Sequence, residues 1–176
     1  MALTRYVAFL RAINVGGHTV KMEQLKTLCE SISLENVSTF IASGNVLFDS
    51  KRAHAQVEAA IEKKLKAALG YDVATMVRSG ADLAAIVDRV QKEPVDIGTL
   101  YVGFLKDPPP PQVVKTVTGM SNAVDLLTVA GKELYWRCRK SFSESTIAGP
   151  KLERALGRPV TMRNYNTVRK LAEKLA

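Results

Sequence analysis

Three short polar stretches bring together the residue types that hold an anion: arginine, asparagine, serine and glycine. The first is Arg11-Ala-Ile-Asn14-Val-Gly16-Gly17, at the end of an apolar run from Tyr6 to Ile13. Backbone amides on a turn that leads into a helix can grip a phosphate or carboxylate, and Arg11 can add two parallel hydrogen bonds. The same residues also make a turn with no ligand. Asn14 tolerates left-handed geometry, the glycines reverse the chain, and Arg11 pairs with a surface carboxylate. The second stretch, Ser43-Gly44-Asn45, is a tight reversal between two short strands. The third is Arg163-Asn164-Tyr165-Asn166-Thr167. Either asparagine can cap a following helix, which accounts for one of them and leaves Arg163 and the other for a ligand.

Most catalytic and cofactor signatures fail. Gly98 and Gly103 have phosphate-loop spacing, but Phe104 follows where Gly-Lys is needed, and Gly131-Lys132 has no earlier glycine. Gly16-Gly17 stand alone before Lys21, so the dinucleotide fingerprint is missing. The two histidines, His18 and His54, have no cluster of cysteines or carboxylates beside them in sequence, and no metal site is expected. Ser43 follows Ala42, with Ile41 where a nucleophile elbow requires glycine. Asp49 and Glu23, the carboxylates nearest the motifs, suit a helix start or a solvated face. No catalytic residue is assigned and no cofactor is expected. Cys29 and Cys138 are too few for a disulfide framework and read as reduced thiols, Cys29 as a small buried hydrophobe.

The chain has 176 residues, 47% of them hydrophobic and 24% charged, the composition of an ordinary globular protein. No apolar run is long enough to cross a bilayer and no leader is legible at Met1, so a cytoplasmic location without a membrane partner is expected. The net charge of +8 is unevenly placed: residues 89–176 carry 15 basic against 8 acidic residues, and the first 88 carry 10 against 9. This asymmetry favours an anionic partner, a small molecule or a nucleic acid.

Elements alternate in a repeated order. A strand at Tyr6–Ile13 precedes a helix at Met22–Ser31, whose stripe is Met22, Leu25, Leu28, Cys29 and Ile32. Strands at Val37–Ala42 and Asn45–Phe48 follow, then a long helix that Ser50 can cap. That helix carries Val57, Ile61 and Leu65 on one face and stops at Gly70, before a strand at Asp72–Val77. Ser79 and Asp82 form a capping box for a linking helix that must be over at Pro94. The second half repeats the order: a strand at Leu100–Leu105, a stiff run at Pro108–Pro111, a helix near Val113–Val117, and strands at Asp125–Ala130 and Leu134–Arg139. A helix at Pro150–Leu156, a strand at Val160–Arg163 and a C-terminal helix with Val168, Leu171, Ala172 and Leu175 inward complete it. The fold class is α+β, two ferredoxin-like βαββαβ units at residues 1–78 and 99–176, joined by a linking helix at 79–98 within one body. The halves share element order without evident residue identity.

Tyr6-Val-Ala-Phe-Leu-Arg-Ala-Ile-Asn-Val-Gly-Gly17, Ser43-Gly-Asn-Val46 and Arg163-Asn-Tyr-Asn-Thr-Val168 closely resemble a bacterial family, domain of unknown function sixteen ninety-seven. The resemblance implies two intertwined ferredoxin-like units and no established activity. It carries over Arg11, Asn14, Gly16, Gly17, Ser43, Gly44, Asn45, Arg163, Asn164 and Thr167 as motif residues. His18 and Thr19 stand where this family has a more amide- or lysine-rich turn, and Tyr165 stands where tryptophan is common.

Three functions compete. A nonenzymatic module would bind a nucleotide, nucleic acid or other phosphate-bearing ligand. Tyr6 and Phe48 loosely suggest an RNA-stacking variant, although strand aromatics are usually core. An enzyme on a small anionic substrate would use Ser43, Asn45, Arg11 and Arg163 for positioning and charge stabilisation. An interaction or structural module would use the motifs only as turns and caps. Neither the ligand nor the oligomeric state is legible.

Overall fold

The computed structural model describes residues 2–41, 44–93, 98–147 and 149–176. The chain forms two compact units, residues 1–86 with 171–176, and residues 87–170. Each contains a four-stranded antiparallel sheet threaded βαββαβ, so the fold is a duplicated ferredoxin-like α+β arrangement.

The first unit runs β1 (Thr4–Leu10), α1 (Met22–Glu30), β2 (Glu35–Thr39), β3 (Asn45–Ser50), α2 (His54–Leu69) and β4 (Thr75–Ser79), in sheet order β2-β3-β1-β4. Helix α3 (Gly80–Lys92) starts in this unit and ends in the second. Alternation along β1 sends Tyr6, Ala8 and Leu10 into a core with Val46, Phe48 and Val77. Val57, Ile61 and Leu65, four residues apart on α2, pack onto it with Leu25 and Cys29 of α1. Each large aliphatic side chain so buried contributes about 1.5–3 kcal/mol. The other face of the sheet is also buried at Val7, Phe9, Leu47 and Met76.

Strand β4 is an edge, and an edge leaves every second N–H without a strand partner. Helix α2 supplies the acceptors: Glu58 Oε1 takes the Val77 N–H at 2.8 Å and Glu62 Oε1 takes the Thr75 N–H at 2.8 Å. Residues four apart on a helix thus serve residues two apart on a strand. In the second unit Glu153 Oε1 accepts the Val160 N–H at 3.3 Å, just before its own edge strand.

That unit runs β5 (Thr99–Phe104), α4 (Pro111–Thr118), β6 (Asp125–Ala130), β7 (Glu133–Cys138), α5 (Pro150–Leu156), β8 (Thr161–Asn164) and α6 (Tyr165–Leu175), in sheet order β6-β7-β5-β8. The last turn of α6 belongs to the first unit. Gly131, at φ +58°, makes the reversal between β6 and β7. Leu127, Leu134, Trp136 and Cys138 form the sheet side of the core, under Val117, Leu152 and Leu156. The buried Asp125 is fully engaged: it accepts Trp136 Nε1–H at 2.8 Å and the Ser145 hydroxyl at 3.1 Å.

Three sequence expectations need correction. Arg11 lies past the first strand, because β1 ends at Leu10 and Ala12 and Asn14 take left-handed φ of 60° and 58°. Ser50 does not cap α2. It is the buried last residue of β3, and its hydroxyl accepts the Arg52 N–H at 3.1 Å in the turn before the helix. The halves also share residues as well as order, since Tyr6-Val-Ala-Phe-Leu10 on β1 matches Tyr101-Val-Gly-Phe-Leu105 along β5. The expected stop at Pro94 lies outside the described residues. Gly70, at φ +81°, ends α2 as expected, and Ser79 and Asp82 exchange reciprocal capping bonds of 2.7 Å and 3.2 Å at the start of α3.

Candidate functional site

The first two motifs meet at one end of the first sheet. Asn45 stands opposite Phe9 in the β1–β3 ladder, and Leu10 N–H donates to Gly44 O at 2.8 Å. Gly44 has φ +78°, and a Cβ there would lie 3.2 Å from the Cβ atoms of both Leu10 and Ile13. Left-handed backbone and close approach together call for glycine. Asn45 is fully buried, donating Nδ2–H to Phe40 O at 2.9 Å while its own carbonyl accepts the Phe40 N–H at 3.0 Å. Asn14 Oδ1 accepts the Val20 N–H at 2.7 Å and closes the loop that carries Gly16 and Gly17, both exposed and left-handed. Arg11 N–H donates to Ala74 O at 2.9 Å. Each of these bonds shapes backbone, so turn geometry accounts for Asn14, Gly44 and Asn45. Ser43 lies outside the described residues.

The third motif belongs to the second unit, and the structure splits its residues by environment. Arg163 on β8 is buried, with Nη1 donating to Thr161 Oγ1 at 2.8 Å and to Met162 O at 2.9 Å. Burial pushes its guanidinium down to about 10. Asn164 Oδ1 accepts the Asn166 N–H at 2.9 Å, which caps the start of α6. Asn164, Tyr165 and Asn166 line a cleft of about 540 Å³, and Arg163 and Thr167 do not.

The rest of the described lining comes from the end of α3 and the residue after it (Val90, Gln91, Glu93), the start of β5 and the residue before it (Gly98, Thr99, Leu100), Arg137 of β7 and Arg169 of α6. Register explains Arg137. On β7 it alternates with the core residues Trp136 and Cys138, so it points off the other face, opposite Leu100. Burial pushes the Tyr165 hydroxyl above its ordinary value, and Arg169, four residues on and one turn along α6, offsets this in part by its charge. Among the described residues, Glu93 is the one carboxylate in the lining. Arg89 Nε lies 3.2 Å from Glu93 Oε1, in an electrostatic contact too bent for a hydrogen bond, with the guanidinium 5.1 Å from the Tyr135 ring centroid. Neither Arg137 nor Arg169 has an ion-pair partner among the described residues.

The duplication supplies an internal comparison. Arg78 stands opposite Val7 in the first sheet as Arg163 stands opposite Val102 in the second. Both arginines are buried, and each donates to the preceding residue's carbonyl at 2.9 Å. At the place equivalent to Leu100 and Arg137 the first unit has Arg5 opposite Asp49, joined by a 3.2 Å ion pair. Where the second unit has Asn164 and Thr167, the first has Ser79 and Asp82. Asp82 Oδ2 also meets His54 Nε2 at 2.9 Å. Burial pushes the Asp82 carboxyl up, but bonds from the Ser79 amide, the Ser79 hydroxyl and His54 outweigh it and hold the group below its ordinary value. The first unit has neutralised internally the position where the second leaves Arg137.

Sequence reasoning missed Arg137, Arg169 and the His54–Asp82 contact. The signal for the arginines was the basic excess: from Arg137 onward the chain has ten basic and three acidic residues. Nothing in sequence joined His54 to Asp82, on separate helices.

Among the described residues no helix is long and apolar enough to cross a membrane, and no cluster of three metal-ligating side chains occurs. The chain is similar to a solved structure, the conserved bacterial protein SP0830 from Streptococcus pneumoniae, with 25% identity, a TM-score of 0.78, and coverage of 99% of this chain and 100% of that one. No curated protein matches it. A family model described as "Protein of unknown function (DUF1697)" matches residues 3–135, which includes the first two motifs and Leu100 but stops before Arg137 and the third motif. Because that match spans most of its length, the chain belongs to the DUF1697 family.

Proposed function

We propose that the chain is a nonenzymatic module that binds a phosphate-bearing or other anionic ligand in the cleft of its second unit. One observation carries this reading: Arg137 and Arg169 both line the cleft without a described ion-pair partner, whereas Glu93, the one carboxylate among its described lining residues, faces Arg89. Guanidinium groups stay charged at any physiological pH and match phosphate oxygens in a two-pronged geometry. Asn164, Asn166, Gln91, Thr99 and Tyr165 add neutral hydrogen-bonding groups, as small-molecule sites do. With Glu93 engaged by Arg89, the described residues of the lining offer no carboxylate poised as a general base, which favours binding over catalysis.

The test is a thermal-shift screen of the full chain against nucleotides, sugar phosphates, short RNA and simple anions at two salt concentrations. Selective stabilisation that shrinks with salt and is lost in Arg137→Gln and Arg169→Gln supports the reading. Stabilisation unchanged in both variants places the anion elsewhere. If no anion stabilises the folded parent, the reading fails.

A further inference from the structure

Resting on the reading above, we infer that the ligand of this cleft carries one terminal phosphate monoester, in its doubly charged form, on a polar organic alcohol. The charge count leads there. Among the described residues, Arg137 and Arg169 bring two positive charges, Arg89 answers the negative charge of Glu93, and no other charged residue lines the cleft. Two uncompensated guanidinium groups match a dianion. A single diester phosphate has one charge and would leave one of them unanswered. A triphosphate brings more charge than the lining meets.

Size and polarity supply the rest. A cleft of about 540 Å³ falls within the range of about 300–1,000 Å³ used for small organic ligands, far more than bare phosphate fills. Beside the arginines stand the Asn164 and Asn166 carboxamides and the Tyr165 phenol, which suit hydroxyls or ring heteroatoms. Val90 and Leu100 add apolar surface. In the first unit the equivalent place is closed to such a ligand by charge, because Asp49 answers Arg5 there.

The experiment is calorimetric titration of the full chain with adenosine monophosphate, glucose 6-phosphate, cyclic adenosine monophosphate, inorganic phosphate and a short RNA without a terminal phosphate, at pH 7.5 and pH 5.5. A monoester should bind about tenfold or more tightly than the cyclic diester and inorganic phosphate. It should weaken several-fold at pH 5.5, as the phosphate takes up its second proton near pH 6. Arg137→Gln and Arg169→Gln, both at sites with solvent access, should each lose about tenfold or more while melting like the parent. The tighter of the nucleotide and sugar arms names the alcohol. Equal binding of monoester and cyclic diester, both weakened by Arg137→Gln, would overturn the charge match and leave the anion site standing. Tighter binding of the RNA through the same arginines would overturn it in favour of a strand. No binding in any arm would remove both readings.

Discussion

Glu58 Oε1 accepts the backbone N–H of Val77 at 2.8 Å, so a buried carboxylate on α2 completes the edge strand β4. A charge-assisted bond to a buried amide is worth about 1.5–3 kcal/mol, and losing it leaves that amide unsatisfied. Glu58→Ala should therefore destabilise the chain by about 2–3 kcal/mol in urea denaturation. Glu58→Gln, which keeps a neutral acceptor, should lose less than half of that. Equal losses in the two variants would show that packing, not the hydrogen bond, holds this edge.

The glycines of the first two motifs should separate by environment. Gly44 combines a φ of +78° with Cβ distances of 3.2 Å to Leu10 and Ile13, whereas a Cβ on Gly16, at φ +62°, meets nothing within 4 Å. Left-handed backbone alone costs an alanine about 1–2 kcal/mol. Gly16→Ala should cost about 1 kcal/mol by chemical denaturation. Gly44→Ala should cost about 2–3 kcal/mol, since strain and crowding add. A Gly44→Ala loss no larger than that at Gly16 would mean the loop gives way readily and the motif is not there for packing.

Asp82 gives stability a dependence on pH. Its folded carboxyl is held below the ordinary value, so ionised Asp82 stabilises the fold above about pH 4, and the contribution disappears as pH falls through the folded value. Asp82→Asn should lower stability at pH 7 by about 1 kcal/mol, the usual worth of a capping interaction. The gap from the parent should narrow towards pH 3 in thermal melts across that range. A gap constant with pH would assign the loss to geometry rather than charge.

Much of the fold was legible because the apolar periods are clean. The stripe of Val57, Ile61 and Leu65, the alternation of Leu134, Trp136 and Cys138, and Gly70 and Gly131 at positive φ all report local physics. Strand ends were not legible: the apolar run through Ile13 conceals the left-handed turn at Ala12 and Asn14 that stops β1 at Leu10. The site was read only in part. Asn164 stood out as a cap and motif residue, but Arg137 and Arg169 are ordinary surface arginines until register and helix pitch bring them into one lining with it. Arg163 caught attention as a charge, yet its position opposite Val102 on β8 buries it.

Asn164 has two roles that substitution can separate. Its Oδ1 caps α6 through the Asn166 N–H at 2.9 Å, and the residue also lines the cleft. Asn164→Ala removes cap and carboxamide together and should cost about 1 kcal/mol in stability along with any ligand affinity. Asn164→Asp keeps the capping oxygen and adds a negative charge at a helix N-terminus, which is favourable there, so thermal stability should equal or exceed the parent's. The same charge would stand in a lining that Arg137 and Arg169 make positive, and anion affinity should fall about tenfold or more. Matched melting and titration of the two variants check this. If Asn164→Asp melts like the parent and binds phosphate monoesters as well as the parent does, the cleft does not read charge at this position, and Asn164 serves α6 alone.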